Sequence, residues 1–185
     1  MTDGLMSKAI ELLDRAYEKH TSVSEPLSIL NPMMTIDEAY AIQIQRVEAA
    51  TSKGEVISGK KIGLTSLAMQ NLLGVDQPDY GHLFHSMEVP NEGIVSLSKL
   101  FQPKIEGEIA FVLKKDLVGP NVTVEDVLDA TDYVIAAIEI VDSRIKDWKI
   151  SLVDTVADNA SCGLYALGSK KVNVNDIDLK AIHME

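Results

Sequence analysis

Three glutamates lie in segments of the sequence that otherwise carry mostly apolar side chains. Glu106 and Glu108 belong to residues 104–113, and Glu139 is flanked by aliphatic residues within 133–141. Both segments have the length and composition of β-strands, in which side chains two residues apart point to the same face. We therefore predict that Glu106 and Glu108 project together, and that Glu139 belongs to a strand with apolar surroundings on both faces.

Carboxylates in such surroundings need a partner, because an unpaired charge is costly to remove from water. The sequence has no cluster of Lys or Arg placed to pair with the three glutamates. No Cys or His lies among the glutamates at the spacing of metal ligands. Oxygen ligands suit a hard divalent cation, so the pattern favours Mg²⁺, or Mn²⁺, over Zn²⁺. The alternative is that Glu106 and Glu108 face solvent while a distant lysine pairs with Glu139.

The surrounding pattern predicts the elements that hold these residues. Residues 6–19 carry apolar side chains at helical spacing, and Thr35–Glu38 has the form of a capping box that begins a second helix. We expect an N-terminal helical region over residues 1–55 and a catalytic mixed β domain over residues 56–185. A strand-like segment, 177–184, runs to the end of the chain without a cap or turn signal, which leaves open a truncation at the C-terminus.

Polar residues outside the three glutamates are further candidates for a site. Thr65 and Ser66 precede a short predicted helix, whose N-terminus attracts anions, so they are candidates for holding a substrate carboxylate. A plain helix cap is the favoured alternative for this pair. Asp142 follows the Glu139 strand and is a candidate contact beside the site, with an ion pair to Arg144 as the alternative.

Composition and charge limit the partners of the chain. A net charge of −11 repels nucleic acid and anionic membranes, so neither is expected as a partner. The sequence has no basic segment followed by an apolar stretch at its start, and no apolar run near about 18 residues, which predicts a cytoplasmic protein.

Cys162 is the only cysteine and is expected to be a small core residue. His82 and His85 lack a third metal ligand nearby, so packing in the core or at the surface is expected for them.

Several motifs, taken together and in order, resemble one family. They resemble the 2-hydroxypenta-2,4-dienoate hydratases, or 2-oxopent-4-enoate hydratases, of the fumarylacetoacetate hydrolase superfamily, and the likeness covers nearly the whole chain. The motifs are Gly59-Lys-Lys-Ile-Gly-Leu-Thr-Ser66, Gln77-Pro-Asp-Tyr-Gly81, Glu106-Gly-Glu108, Glu139-Ile-Val-Asp-Ser-Arg144 and Ala157-Asp-Asn-Ala-Ser161.

This resemblance implies a mixed α/β fold with a curved, mainly antiparallel sheet, and assembly into a homo-oligomer. It implies a divalent metal held by the same three glutamates that the strand pattern singles out. It also implies an active-site lysine at Lys61 rather than Lys60, an active-site acid at Asp79, and a segment near bound substrate that includes Asn159 and Ser161.

The activity implied by the resemblance is metal-dependent hydration of 2-hydroxypenta-2,4-dienoate to 4-hydroxy-2-oxopentanoate, in the meta-cleavage catabolism of aromatic compounds. The substrate would be a small 2-oxo acid. Two enzymatic alternatives stay open, a 4-oxalocrotonate decarboxylase and a hydratase for the longer 2-oxohept-3-enedioate. A third alternative is a non-catalytic subunit, since hydratases of this kind can assemble with the decarboxylase.

Overall fold

The N-terminal part of the chain is helical, as the apolar spacing predicts. The computed structural model describes residues 3–184 and, within them, the side chains of all residues except 3, 72 and 73. Helix α1 spans Asp3–Lys19, α2 spans Leu27–Leu30 and α3 spans Ile36–Ser52. The predicted capping box begins α3, because the Thr35 hydroxyl accepts the Glu38 N–H while the Glu38 carboxylate accepts the Thr35 N–H.

A two-stranded antiparallel sheet follows the helices. Strand β1 spans Ile57–Gly63 and β2 spans Asp79–Phe84, with helix α4, Leu67–Leu73, between them. In their register Lys61 lies opposite Gly81, and Gly63 lies opposite Asp79. These four residues therefore share one face of the hairpin.

A four-stranded sheet holds the glutamates. Its strands are β3 (Glu88–Val89), β4 (Lys104–Leu113), β5 (Thr131–Val141) and β6 (Cys162–Leu167), and their order across the sheet is β3-β6-β5-β4. Helix α5, Val124–Ala130, precedes β5, and α6, Leu152–Ala157, precedes β6. The pairs β4–β5 and β5–β6 are antiparallel, whereas β3 pairs with β6 in parallel.

The apolar core joins the helices to the end of the sheet. Residues of α1, α2 and α3 pack against α6 and against Ile145, which follows β5. This contact fixes the helical region against the strands that carry the glutamates. The buried members are Ala9, Leu13, Ala16, Val23, Leu27, Met34, Ala39, Ile42, Ile145, Val156 and Ala157.

The expected fold class is confirmed, since the molecule is a mixed α/β structure with mainly antiparallel strands and an N-terminal helical region. The predicted strand 177–184 is wrong: single 3-10 turns occupy Val174–Asp176 and Leu179–Ala181. Asn173 and Asp178 accept the N–H groups two residues ahead of them, which favours turns over an extended strand. Among residues 3–184, every helix falls short of the length and apolar character that a membrane span requires.

Candidate active site and metal centre

The three glutamates converge on one face of the four-stranded sheet, where the edge strand β4 pairs with β5. Glu106 lies directly opposite Glu139 in the β4–β5 register, and Glu108 follows on the same face as Glu106. One carboxylate oxygen from each residue lies within 4.8 Å of the other two. Oxygen ligands lie about 2.1 Å from Mg²⁺ and up to about 2.6 Å from Ca²⁺, so ligands across one ion stand about 4–5 Å apart. The spacing of the three carboxylates therefore fits a single divalent cation.

The environment of the carboxylates also fits a cation. Glu139 is buried, and its Oε1 atom makes an ion-pair contact with Lys61 but no well-directed hydrogen bond among the described residues, whereas Glu106 and Glu108 are exposed. Burial raises the pKa of Glu139, and partial desolvation of the carboxylate, followed by repulsion from Glu106, raises the pKa of Glu108. A bound cation would oppose both effects, because an opposite charge favours the ionised carboxylate.

Lys61 extends from β1 towards the glutamates. Its Nζ atom lies 3.3 Å from Glu139 Oε1, and only 11% of its side chain is exposed. Burial acts to lower the pKa of Lys61, but the charges around it, Glu139 first, outweigh burial and raise the pKa. Lys60 points to the other face of β1, where its Nζ lies 4.7 Å from the centre of the Tyr80 ring. The two neighbouring lysines therefore lie on different faces of β1, and of the two only Lys61 points towards the carboxylates.

Asp79 lies beside Lys61 because the residue opposite it is glycine. A Cβ atom on Gly63 would stand 2.2 Å from Asp79 Oδ1 and 3.7 Å from Lys61 Nζ, so both groups lie against the bare backbone of Gly63. Asp79 is buried, and burial raises the pKa of its carboxyl group, although Lys61 opposes this shift. The structure thus places an acid and a lysine together next to the three glutamates.

A left-handed turn borders this group of residues. Asn159, Ala160 and Ser161 have φ values of 57°, 51° and 53°, a region that residues other than glycine seldom adopt. The turn is buried, and the Ser161 hydroxyl shares a hydrogen bond of 3.0 Å with the Thr155 hydroxyl. The Asn159 side chain bonds the backbone of β2 at His82. Substrate contacts for Asn159 and Ser161 stay predictions.

The remaining predicted substrate contacts have other partners in the structure. Ser66 is the N-cap of α4, because its hydroxyl accepts the Met69 N–H, and both Thr65 and Ser66 are exposed. The Asp142 carboxylate accepts the backbone N–H groups of Phe101 and Gln102, so it anchors the loop that leads into β4. This geometry offers no support for a substrate contact at Asp142, which stays a prediction.

The ion pair considered between Asp142 and Arg144 is wrong. Arg144 pairs with Asp158 instead, with 2.7 Å between Arg144 Nε and Asp158 Oδ1, and both side chains are almost fully buried. Arg144 also donates to the carbonyl groups of Asp158 and Cys162. Sequence reasoning did not single out Asp158, although the residue belongs to the motif Ala157-Asp-Asn-Ala-Ser161 that contributes to the family resemblance.

Curated proteins that are similar to this chain include hydratases. The chain is 51% identical over 175 residues to 2-hydroxyhexa-2,4-dienoate hydratase of Comamonas testosteroni, covering 92% of this chain and 66% of that enzyme. It is 49% identical over 172 residues to 2-hydroxypent-2,4-dienoate hydratase of Pseudomonas putida, covering 91% of this chain and 78% of that enzyme. No protein family model matches the chain.

A solved structure shares the fold closely. It is 4-oxalocrotonate decarboxylase from Pseudomonas putida G7 complexed with magnesium and adipate, and it is 35% identical to this chain with a TM-score of 0.91. The match covers 97% of this chain and 68% of the decarboxylase. Because that neighbour holds magnesium and this chain brings three carboxylates together, the expectation of a divalent metal cofactor is confirmed.

Proposed function

The chain belongs to the family of 2-hydroxypenta-2,4-dienoate (2-keto-4-pentenoate) hydratases, and we propose that it converts 2-hydroxypenta-2,4-dienoate and water into 4-hydroxy-2-oxopentanoate. Its place would be the meta-cleavage catabolism of aromatic compounds. The observation that carries this proposal is the convergence of Glu106, Glu108 and Glu139 beside Lys61. Hydratases at about half identity support hydration over decarboxylation, since the decarboxylase is less similar at 35%.

In this proposal Glu106, Glu108 and Glu139 hold the cation, Mg²⁺ or Mn²⁺, through carboxylate oxygens. When bound, the cation would supply a Lewis acid for the 2-oxo acid end of the substrate. Exposure of Glu106 and Glu108 leaves one side of the carboxylate cluster open to a ligand, while the buried Glu139 anchors the other side.

Asp79 is our candidate for moving protons. Hydration requires the enol proton to leave oxygen and a proton to reach the terminal carbon, which gives an unsaturated 2-oxo acid. The oxygen of water then bonds to C4, the carbon two bonds from the ketone carbon C2. The proton that water loses is balanced by a proton that reaches C3, the carbon between C2 and C4. Burial raises the pKa of Asp79, which brings this carboxyl group closer to the range in which it can both accept and return a proton.

Lys61 is our candidate for orienting the substrate. Its ammonium group lies between Glu139 and the backbone of Gly63, where a substrate oxygen could accept one of its N–H groups. The pair with Glu139 keeps the ammonium charged, since it raises the pKa of Lys61. A charged donor here would stabilise negative charge that develops on the enol oxygen.

The substrate contacts proposed for Thr65, Ser66, Asp142, Asn159 and Ser161 have unequal support. Ser161 and Asn159 lie in the buried turn that contacts β2, the strand that carries Asp79. Thr65 and Ser66 are exposed immediately after β1, so they remain open to a ligand. Asp142 has the weakest support, because backbone N–H groups already engage both of its carboxylate oxygens.

The partners and location of the whole protein also belong to the proposal, since the chain spans 66% of the Comamonas enzyme. We infer a cytoplasmic homo-oligomer that acts on a small 2-oxo acid, with an association with 4-oxalocrotonate decarboxylase as a further option. Exposed apolar side chains on the face of the sheet opposite the glutamates support assembly, among them Ile105 at 75% and Ile138 at 48% exposure.

A hydration assay tests this proposal. Purified protein would be given 2-hydroxypenta-2,4-dienoate with Mg²⁺, then with EDTA, and then with Mg²⁺ restored. We expect turnover that stops with EDTA and returns with the metal, and undiminished turnover in EDTA would rule out the metal role. Release of CO₂ from 2-oxohex-3-enedioate would indicate the decarboxylase instead, and faster hydration of 2-oxohept-3-enedioate would indicate the longer substrate.

A further inference from the structure

We propose that Asn159 is a positioning residue, which acts through strand β2 to hold Asp79 in place against the glutamate cluster. This inference rests on the proposed role of Asp79 in proton transfer. It assigns to the Asn159 side chain a task other than the substrate contact expected from the sequence.

The Asn159 carboxamide makes two hydrogen bonds to one residue of β2. Its Nδ2 atom donates to the His82 carbonyl at 2.9 Å, and its Oδ1 atom accepts the His82 N–H at 2.8 Å. Both bonds are buried, so water does not compete for them. Two bonds to the same peptide backbone restrict both sliding and rotation of the strand, as a neighbouring strand would.

The strand also sits directly on the turn that carries Asn159. A Cβ atom on Gly81 would stand 2.4 Å from the Asn159 carbonyl oxygen and 2.6 Å from Cys162 Sγ. Only glycine allows this approach, and the contact leaves β2 no room to move closer. The contact at Gly81 lies two residues along β2 from Asp79, and the pair of hydrogen bonds to His82 lies three residues along it.

Arg144 holds the turn itself from both ends. Its Nη2 atom donates to the Asp158 carbonyl before the turn, and its Nη1 atom donates to the Cys162 carbonyl after the turn, each at 2.7 Å. Arg144 follows shortly after β5, the strand that carries Glu139. A continuous set of contacts therefore runs from the Glu139 strand through Arg144 and Asn159 to the Asp79 strand.

This arrangement explains why the position of Asp79 would depend on Asn159. Asp79 and the glutamates belong to different sheets, so the backbone hydrogen bonds within each sheet cannot fix their separation. A misplacement of about 1 Å costs about 100-fold in rate for groups that must meet in one geometry. Loss of the two hydrogen bonds between Asn159 and His82 should therefore slow the chemical step, although every group that takes part in the reaction is still present.

The test compares Asn159→Ala with Asn175→Ala, a change of the same type at an exposed asparagine. We expect kcat to fall by about 10-fold to 100-fold in Asn159→Ala, with KM and the Kd for Mg²⁺ within about two-fold of the original chain. Asn175→Ala should change none of these values. If Asn159→Ala does not fold, Asn159→Asp keeps the volume but cannot donate to the His82 carbonyl, and it serves the same comparison.

A double-variant comparison separates positioning from a direct role. If Asn159 acts through Asp79, the variant Asp79→Asn/Asn159→Ala should be no more than about two-fold slower than Asp79→Asn alone. Independent, multiplied losses would overturn the inference. A raised KM with unchanged kcat in Asn159→Ala would overturn it as well, in favour of a direct substrate contact.

A crystal structure of Asn159→Ala gives a readout that needs no turnover. Displacement of Asp79 relative to Glu139 would support the inference, and an unchanged separation would overturn it. Failure of the proposed function has a different signature, since the original chain would then not hydrate the substrate while the displacement in the variant would still be seen.

Discussion

Glu106 and Glu139 lie directly opposite each other across the antiparallel pair of β4 and β5. Like charges at opposed positions of neighbouring strands destabilise a sheet, and burial of Glu139 increases the cost. Lys61 offsets part of this cost through its contact with Glu139, but Glu106 and Glu108 remain without an equivalent cation among the ion pairs of the described residues. A divalent ion at this point would offset the repulsion of all three carboxylates at once.

Replacement of Glu139 by Gln should therefore weaken metal binding strongly. Loss of residues that only support metal ligands costs about 10-fold to 100-fold in affinity, so loss of a direct ligand should cost more than about 100-fold. Isothermal titration calorimetry with Mg²⁺ measures this change. Glu125→Gln, on the exposed first turn of α5, is the matched control and should bind Mg²⁺ as the original chain does. Equal affinity in both variants would contradict the metal assignment.

The two adjacent lysines allow a paired prediction. Lys61→Met should lower kcat by about 100-fold to 10,000-fold, as expected for loss of a group that assists proton movement or charge stabilisation. Its affinity for Mg²⁺ should not fall, because the Lys61 ammonium lies against Glu139 Oε1 and competes for that oxygen. Steady-state kinetics and calorimetry measure the two quantities separately.

Lys60→Met is the control for that change. Lys60 lies over the Tyr80 ring on the opposite face of β1, so its loss should leave kcat and metal affinity nearly unchanged. Comparable losses of activity in the two variants would show that the lysines act through the fold of β1. Weaker Mg²⁺ binding in Lys61→Met would show that this lysine helps to build the metal site.

The local pattern of the sequence predicted part of this site and missed the rest for identifiable reasons. Strand alternation alone placed Glu106 and Glu108 on one face, and the structure agrees. The apposition of Glu139 depends on the register between strands that are distant in sequence, which alternation does not define. Asp79 lies against Gly63 only because two strands pair across a helix, and no local signal reports that contact.

Turns were the least predictable part of the chain. Asn159, Ala160 and Ser161 adopt left-handed backbone geometry, although Ala160 and Ser161 have no intrinsic preference for it. The surrounding contacts therefore impose this geometry. Segment 177–184 has strand-like composition, but the Asp178 carboxylate accepts the Lys180 N–H, which produces a turn. In both cases tertiary or side-chain hydrogen bonds prevail over the apolar pattern.

The buried pair Arg144–Asp158 should be essential for stability. Asp158→Asn would leave the Arg144 guanidinium buried without its counter-ion, which costs about 3–5 kcal/mol in the free energy of unfolding. A chain of this size loses about 2–4 °C in Tm for each kcal/mol. Asp129→Asn removes the partner of Lys115 in an exposed pair, and it should change Tm far less, because solvent screens exposed ion pairs. Similar Tm values for the two variants would contradict the structural importance of Arg144.

Cys162 should resist thiol reagents in the folded chain. Burial raises the pKa of its thiol to about 12, so almost no thiolate is present at neutral pH, and the side chain has no exposed surface. Because it is the only cysteine, labelling with a chromogenic disulfide should give no signal in the native chain and one thiol per chain in urea. Rapid native labelling would show that β6 opens locally at this position.

His82 should make the stability of the fold depend on pH. Burial lowers the pKa of His82 below its ordinary value of 6.5, with a smaller effect from the charge of Lys60. The Gln43 amide donates to the Tyr80 and Val156 carbonyls, so its oxygen must accept from His82 Nδ1, and further protonation has to occur at Nε2. The folded chain therefore favours the neutral imidazole.

Since the unfolded chain takes up a proton at His82 before the folded chain does, the contribution of His82 to stability is present above about pH 6.5 and is lost as the pH falls below that value. The loss should be no more than about 1.4 kcal/mol for each pH unit. Urea unfolding between pH 5.5 and pH 8 measures it in the original chain and in His82→Asn, and the difference in stability between them should shrink towards the acid end. His85→Asn changes an exposed imidazole and is the control; a constant difference for His82→Asn across this range would contradict the lowered pKa.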